Sequence, residues 1–129
     1  MSVERTREVM MQYWRDDDLS KIDENAVYTL IGTGQVARGR EAIVQFLHDL
    51  YHVTFEVQAY AKNTLIEDGK ACFEAEFVGK QLRKFAGIAP TAKEVRIPFC
   101  VVYDLANDRI TQARIYFESE VLRQRSGSA

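Results

Sequence analysis

The stretch Val95-Arg96-Ile97-Pro98-Phe99-Cys100-Val101-Val102-Tyr103-Asp104-Leu105 decides the fold class, because every second residue in it is apolar or aromatic. Side chains of a β-strand point alternately to its two faces, so this period of two predicts a long strand with one buried face. The segments 73–77 and 113–117 alternate in the same way. Turn-forming residues separate the alternating segments. The C-terminal half of the chain therefore predicts four long strands in a meander.

The residues before this meander predict helices. Apolar residues recur at helical spacing over residues 3–16 and 40–51, and a short helix holding Leu19 and Ile22 lies between them. Residues 26–31 predict one further strand. Helices grouped before an antiparallel sheet indicate an α+β fold, because parallel pairing would need helices between the strands. Long twisted strands coil, so we expect a cone-shaped, curved antiparallel sheet with the N-terminal helices covering its concave face.

Length and charge limit the class of protein. The chain has 129 residues and a formal net charge of −2, from 17 basic and 19 acidic side chains. This length suits one domain, which we place at residues 1–122, followed by a polar C-terminal tail at 123–129. Without a basic excess, nucleic acid is not expected as a partner. No apolar run suggests a membrane span or a signal peptide, so we expect a cytoplasmic protein in which Cys72 and Cys100 are reduced thiols.

Three short motifs resemble a known family. Residues 38–43 are R-G-R-E-A-I, residues 85–93 are F-A-G-I-A-P-T-A-K, and residues 114–118 are R-I-Y-F-E. In order and spacing they are similar to motifs of the SnoaL-like polyketide cyclases, within the nuclear-transport-factor-like, ketosteroid-isomerase-like superfamily. The resemblance implies the cone-shaped fold and a homodimer that packs through the outer face of the sheet. It does not settle the function, because this fold carries many activities.

The same resemblance implies that the family's usual proton-transfer group is missing. In the cyclases and the related limonene epoxide hydrolases, an inward aspartate on the last strand acts as acid or base, and the matching position here is Ile115. The cyclase pattern G-T-H-x-G is replaced by G-K-Q-L-R at residues 79–83. A positioned general acid or base contributes about a hundredfold to ten-thousandfold to a rate. We therefore assign no catalytic residue.

The position of Ile115 also assigns the two faces of the sheet. If Ile115 points inward, Thr111, Ala113 and Phe117 share its face, together with the apolar residues of the neighbouring strands. Most of these residues are expected to be core, and a few are expected to line a pocket. Side chains with an apolar body and a hydrogen-bonding tip can reach such a pocket without burying charge, and the candidates are Tyr13, Trp14, Tyr28, Tyr51 and Tyr103. The predicted ligand-binding residues are Trp14, Tyr28, Tyr51, Phe77, Phe99, Tyr103, Ile115 and Phe117.

Two pairs of polar residues invite a sharper interpretation. Glu74 and Glu76 lie two residues apart on a strand and would form an acid–base pair if they faced the pocket. Their parity instead favours a charged outer face, unless a bulge reverses the strand. His48 and His52 could be ligands of a metal ion. Histidine near a helix C-terminus is, however, commonly there because its positive charge interacts favourably with the helix dipole. We predict no metal ion and no cofactor.

Two functions remain open from the sequence. The first is a pocket protein that binds a small, mostly apolar molecule and catalyses cyclisation or isomerisation of a polyketide-like or steroid-like substrate through tyrosine hydroxyls. The second is a non-catalytic dimeric module that uses the same cone for carrying, sensing or assembly. The resemblance to the cyclases favours the first, and the isoleucine at position 115 favours the second.

Overall fold

The computed structural model describes residues 1–91 and 93–117. Its helices are α1 (Val3–Trp14) and α2 (Arg40–His48). The Ser2 side chain accepts a hydrogen bond of 3.0 Å from the Arg5 backbone N–H and so caps the start of α1. A single 3-10 turn (Leu19–Lys21) follows α1, and a π-helical turn (Asp49–Thr54) continues α2.

Within the described residues, six strands form one sheet. They are β1 (Ile22–Leu30), β2 (Gln35–Arg38), β3 (Phe55–Glu67), β4 (Lys70–Gln81), β5 (Glu94–Ala106) and β6 (Arg109–Phe117). The order across the sheet is β2-β1-β6-β5-β4-β3. Strands β3 to β6 form the antiparallel meander that the period of two predicts. The predicted α+β class is confirmed, although the sheet is mixed, because β1 runs parallel to β6.

Several boundaries differ from the sequence prediction. Ile22, expected in a short helix, is the first residue of β1, and the short strand β2 was not predicted. The regular helix α2 ends at His48 rather than near residue 51, because the chain widens there into the π-helical turn. The predicted polar tail at 123–129 lies outside the described residues.

Local irregularities bend the sheet. In the β5–β6 pair the register shifts between Asp104 and Leu105, which leaves Thr111 as the extra residue of a bulge. The bulge places Ile110 at the buried position opposite Leu105, and Thr111, predicted on the inner face, is partly buried. At Gly79, with φ of +155°, a side chain would collide with the Glu56 carbonyl oxygen, so only glycine allows β3 to approach β4 this closely.

The two faces of the sheet differ in burial. On β5 the buried residues are Val95, Ile97, Phe99, Val101, Tyr103 and Leu105, in strict alternation with more exposed residues. Glu74 and Glu76 lie on the opposite face of the neighbouring strand, where Glu76 meets Arg96 at 3.4 Å. The paired-carboxylate alternative is therefore wrong, since neither residue faces the helices. Within the described ranges, neither helix is long and apolar enough to cross a membrane.

Candidate functional site

A cavity of about 670 Å³, hereafter the main cavity, lies between the helices and the inner face of the sheet. Its lining residues are Tyr13, Trp14, Asp17, Leu19, Tyr28, Val44, Leu47, His48, Tyr51, His52, Val57, Gln58, Ala59, Phe73, Phe77, Phe99, Val101, Tyr103 and Ile115. The exposed members come from the loop after α1, the end of α2 and β3, and they mark the mouth. The buried members come mainly from β1 and β4–β6, and they form the floor.

Stacked aromatic rings form the walls of the main cavity. The ring centroids of Phe77 and Phe99 are 3.8 Å apart with an interplanar angle of 8°. Trp14 stacks on Phe73 with centroids 5.0 Å apart, and Tyr51 meets the edge of Phe77 at 5.3 Å. These contacts fix the ring orientations, so the walls present rigid apolar surface at low entropic cost.

Two hydrogen bonds organise the polar tips inside this apolar lining. Tyr28 donates from its hydroxyl to the Tyr13 hydroxyl oxygen at 2.9 Å. Trp14 donates from Nε1 to the Tyr103 hydroxyl oxygen at 3.3 Å. Tyr13 and Tyr103 thus act as acceptors. Within residues 1–91 and 93–117, their own hydroxyl hydrogens have no acceptor, so each is available to a bound molecule.

Burial keeps these hydroxyls neutral. Desolvation raises the pKa of Tyr13 to about 12, although the hydrogen bond from Tyr28 opposes the shift. Desolvation also raises the pKa values of Tyr28, Tyr51 and Tyr103, and the neighbouring tyrosines add to each shift. Near neutral pH the hydroxyls are therefore hydrogen-bond donors and not bases.

Among the described residues, the carboxylate and imidazole groups of the lining are all at the mouth. They are Asp17, His48 and His52, and each is exposed. The imidazole rings of His48 and His52 lie 5.4 Å apart, and His52 Nδ1 is 3.5 Å from a carboxylate oxygen of Glu56. In the described part of the chain, no group of three or more histidine, cysteine, aspartate or glutamate residues is arranged to hold a metal ion.

The structure brings most of the predicted ligand-binding residues together. Those that line the main cavity are Trp14, Tyr28, Tyr51, Phe77, Phe99, Tyr103 and Ile115. Phe117 does not line it, which corrects the prediction. Two residues beyond Ile115 along β6, its ring lies against Gly32 and Phe85 in a separate apolar pocket of about 20 Å³.

The contribution of the mouth is not predicted from the sequence. The pattern indicates His48 and His52 only as metal ligands or as charges near a helix end, and it assigns no site role to Asp17. The missed signal is their spacing: His48 and His52 are four apart and so share a face of α2 and its π-helical extension.

One comparison with known proteins identifies a family. A family model described as SnoaL-like polyketide cyclase matches residues 3–125 of the sequence. No curated protein sequence matches the chain significantly.

Solved structures share the fold at low sequence identity. One, from Jannaschia sp. CCS1 and assigned to the SnoaL-like polyketide cyclases, has a TM-score of 0.81 and 14% identity, over 98% of this chain and 94% of that chain. Another, from Xanthomonas campestris pv. campestris and assigned as a polyketide cyclase, has a TM-score of 0.80 and 16% identity, over 96% and 98%. A protein of ketosteroid isomerase-like fold from Catenulispora acidiphila DSM 44928, in complex with trimethylamine, has a TM-score of 0.71 and 13% identity, over 98% and 95%.

Proposed function

Because the chain belongs to the family of SnoaL-like polyketide cyclases, we propose that it binds a small, largely apolar molecule in the main cavity and holds an oxygen atom of that molecule with tyrosine hydroxyls. The observation that carries this proposal is the pair of unengaged hydroxyl hydrogens, on Tyr13 and Tyr103, inside an aromatic-walled cavity of about 670 Å³. Ligand pockets of this size, about 300–1,000 Å³, typically combine apolar walls with a few polar groups that orient the ligand.

The lining favours an uncharged ligand. Among the described residues it contains neither lysine nor arginine, and its acidic and imidazole groups are at the mouth. A charged group carried to the floor would lose its hydration without meeting an opposite charge, which is costly. A ketone or phenol oxygen would instead accept hydrogen bonds from the hydroxyls. The ligand class that fits is a neutral, oxygen-bearing ring compound.

The tyrosines can do more than bind. Each of the two donors is itself polarised by a second group, since Trp14 donates to Tyr103 and Tyr28 donates to Tyr13. A carbonyl oxygen held by both hydroxyls would be stabilised as negative charge develops on it, as in an enolate. Among the described buried residues of the lining there is no carboxylate or imidazole, so they offer this electrophilic assistance without a base, in keeping with the resemblance, which matches Ile115 to the aspartate of related proteins.

Cyclisation or isomerisation is the second candidate function. It is favoured by one observation: His48, His52 and Asp17 line the mouth, where a side chain could remove a proton from a ligand held at the floor. A purely binding role would leave these three residues unused. Replacing His48 or His52 by glutamine separates the binding function from the catalytic one. In a catalyst the replacement would abolish turnover of a reacting ketone and leave the affinity of the protein for that ketone nearly unchanged.

Fluorescence of Trp14, the single tryptophan, can test the binding proposal. We expect the neutral bicyclic ketone α-tetralone to quench it at lower concentration than tetralin, which lacks the oxygen, or naphthoate, which is an anion. Tyr103→Phe should reduce the preference for the ketone over tetralin about two- to tenfold, the usual contribution of one hydrogen bond. Tyr116→Phe, on the exposed outer face, is the matched control. Equal binding of tetralin and tetralone, or preferential binding of trimethylamine, would contradict the proposal.

We also propose that the chain is a homodimer through the outer face of the sheet. Tyr60, Leu65 and Tyr116 are exposed there, by 52%, 69% and 42%. Charged side chains such as Arg96 and Asp104 surround them, a composition typical of an apolar interface with a polar rim. Light scattering at micromolar concentration should give about twice the 14.8 kDa mass of the chain. A mass equal to that of a single chain would contradict it.

A further inference from the structure

Two thiols lie in contact on the outer face of the sheet, behind the wall of the main cavity. The Sγ atoms of Cys72 on β4 and Cys100 on β5 are 3.1 Å apart, and both cysteines are free. In the strand register Cys72 is opposite Val102 and Cys100 is opposite Glu74, so the cysteines are diagonal neighbours. Diagonal residues are about 7 Å apart at the backbone, so the two side chains must turn toward each other to make this contact.

We propose that Cys72 and Cys100 are a redox-active pair that a low-molecular-weight disulfide converts to an intramolecular disulfide. The sulfur atoms would have to approach by only about 1 Å to reach the S–S bond length of about 2.05 Å. Both side chains are half-exposed, so a small oxidant can reach them. The spacing along the sequence gave no hint of this pairing, because it depends on the β4–β5 register.

Thiol–disulfide exchange provides a balanced route. The thiolate of Cys72 attacks one sulfur of oxidised glutathione, forming a mixed disulfide and releasing one glutathione thiolate. Cys100 then loses its proton and attacks the Cys72 sulfur, which releases the second glutathione thiolate. The protein loses two electrons and two protons in all, and the oxidant is reduced to two thiols.

The order of attack follows from the surroundings of Cys100. Burial, together with the neighbouring Cys72 and Glu74, raises the pKa of Cys100 to about 11. Its thiolate is therefore scarce near neutral pH, which suits the resolving rather than the attacking role. Proximity compensates in the second step, because Cys100 attacks a sulfur that is held beside it.

The disulfide would act on the cavity wall. Phe73 follows Cys72 in the chain, and Phe99 and Val101 flank Cys100, and all three line the main cavity from the inner face of the same strands. Drawing the cysteines together shifts β4 against β5 and moves Phe73 relative to Trp14, which stacks on it at 5.0 Å. A bond between diagonal neighbours is also strained, so we expect dithiols to reduce it readily.

Mass spectrometry of the intact chain after incubation with oxidised glutathione tests the pair. The wild-type protein should lose two hydrogen atoms and retain no glutathione, and dithiothreitol should reverse the change. Cys100→Ser should instead accumulate one glutathione at Cys72. Cys72→Ser should react much more slowly, at least tenfold. Because a second subunit on the outer face would shield the thiols, the decisive sample is the most dilute one, and closure should slow as the protein concentration rises.

Two results would overturn the proposal. Wild-type protein that keeps both thiols in the dilute sample, or that gains glutathione on both cysteines, would show that the pair does not close. If the disulfide forms but the fluorescence emission of Trp14 is the same before and after closure, the disulfide does not move the cavity wall and that part of the proposal is wrong. Cys100→Ser, which cannot form the bond, is the reference for that fluorescence measurement.

Discussion

The two faces of β4 and β5 share one backbone and have opposite chemistry. On the inner face, Phe77 and Phe99 stack with centroids 3.8 Å apart and contribute to the main cavity. On the outer face, one residue away, Glu76 pairs with Arg96, and cysteines and an exposed Tyr116 border the ion pairs. A single step along the strand therefore moves a side chain from the lining of the main cavity to the outer face of the sheet. Substitutions at neighbouring positions should separate these two roles.

The sharpest test of the two faces compares Ile115→Asp with Tyr116→Asp. Ile115 is buried in the floor of the cavity, where a carboxylate would be desolvated, so the pKa of the new carboxyl group should lie well above its ordinary value. Tyr116→Asp places the carboxylate on the exposed face. Chemical denaturation at pH 5 and pH 8 measures both variants against the parent.

The sign of the effect follows from proton linkage. A raised folded-state pKa means that the stabilisation from protonation is fully present below the unfolded value of about 3.9 and is lost as the pH rises through the folded value. For a shift of about three units, Ile115→Asp should lose about 2 to 3 kcal/mol of additional stability between pH 5 and pH 8. Ile115→Asn, polar but uncharged, is the control and should show no such slope. In samples dilute enough to be monomeric, an equal slope in both aspartate variants would refute the assignment of the faces.

Truncating one large side chain on each face should give the next largest difference in the free energy of unfolding between the two faces. Phe77→Ala removes a ring that stacks on Phe99 and meets Tyr51, and we expect a loss of about 3 kcal/mol in the free energy of unfolding. Leu65→Ala, at a residue that is 69% exposed, should cost less than about 0.5 kcal/mol in the monomer. Urea denaturation compares the two. A loss for Leu65→Ala as large as that for Phe77→Ala would mean that the outer face is packed against a second subunit.

Breaking the ion pairs on the outer face should cause the smallest loss in the free energy of unfolding. Asp104 accepts hydrogen bonds from Arg114 at 2.8 Å and from Lys70 at 2.7 Å, and these bonds lower its pKa. Asp104→Asn should cost about 1 kcal/mol or less near pH 7, and the cost should shrink in high salt. Because the folded-state pKa is lowered, this stabilisation is present above the unfolded pKa of about 3.9 and disappears as the pH falls through the folded value. A cost that persists unchanged at pH 2 would show that the ion pairs are not its source.

The sequence predicted what local patterns encode. The spacing of apolar residues, helical in one half of the chain and every second residue in the other, was sufficient to predict α1, α2 and the meander. The alternation around Ile115 predicted which face of the sheet most of the cavity-lining residues occupy. The parallel pairing of β1 with β6 was not predictable in the same way, because it joins segments from opposite ends of the chain and has no local pattern. The bulge at Thr111 and the turn of Phe117 out of the cavity depend on register and packing, which parity alone does not specify.

That parallel pairing has a consequence for how the chain folds. In the order β2-β1-β6-β5-β4-β3, β6 is the last of the described strands, yet it is an interior strand that joins an N-terminal hairpin to the rest of the meander. Until β6 has been synthesised, β1–β2 and β3–β5 are two separate sheets, each with an exposed edge open to wrong pairing. Joining them closes a long loop, so this step is expected to be slow. A nascent chain that stalls before residue 109 would therefore be prone to aggregation.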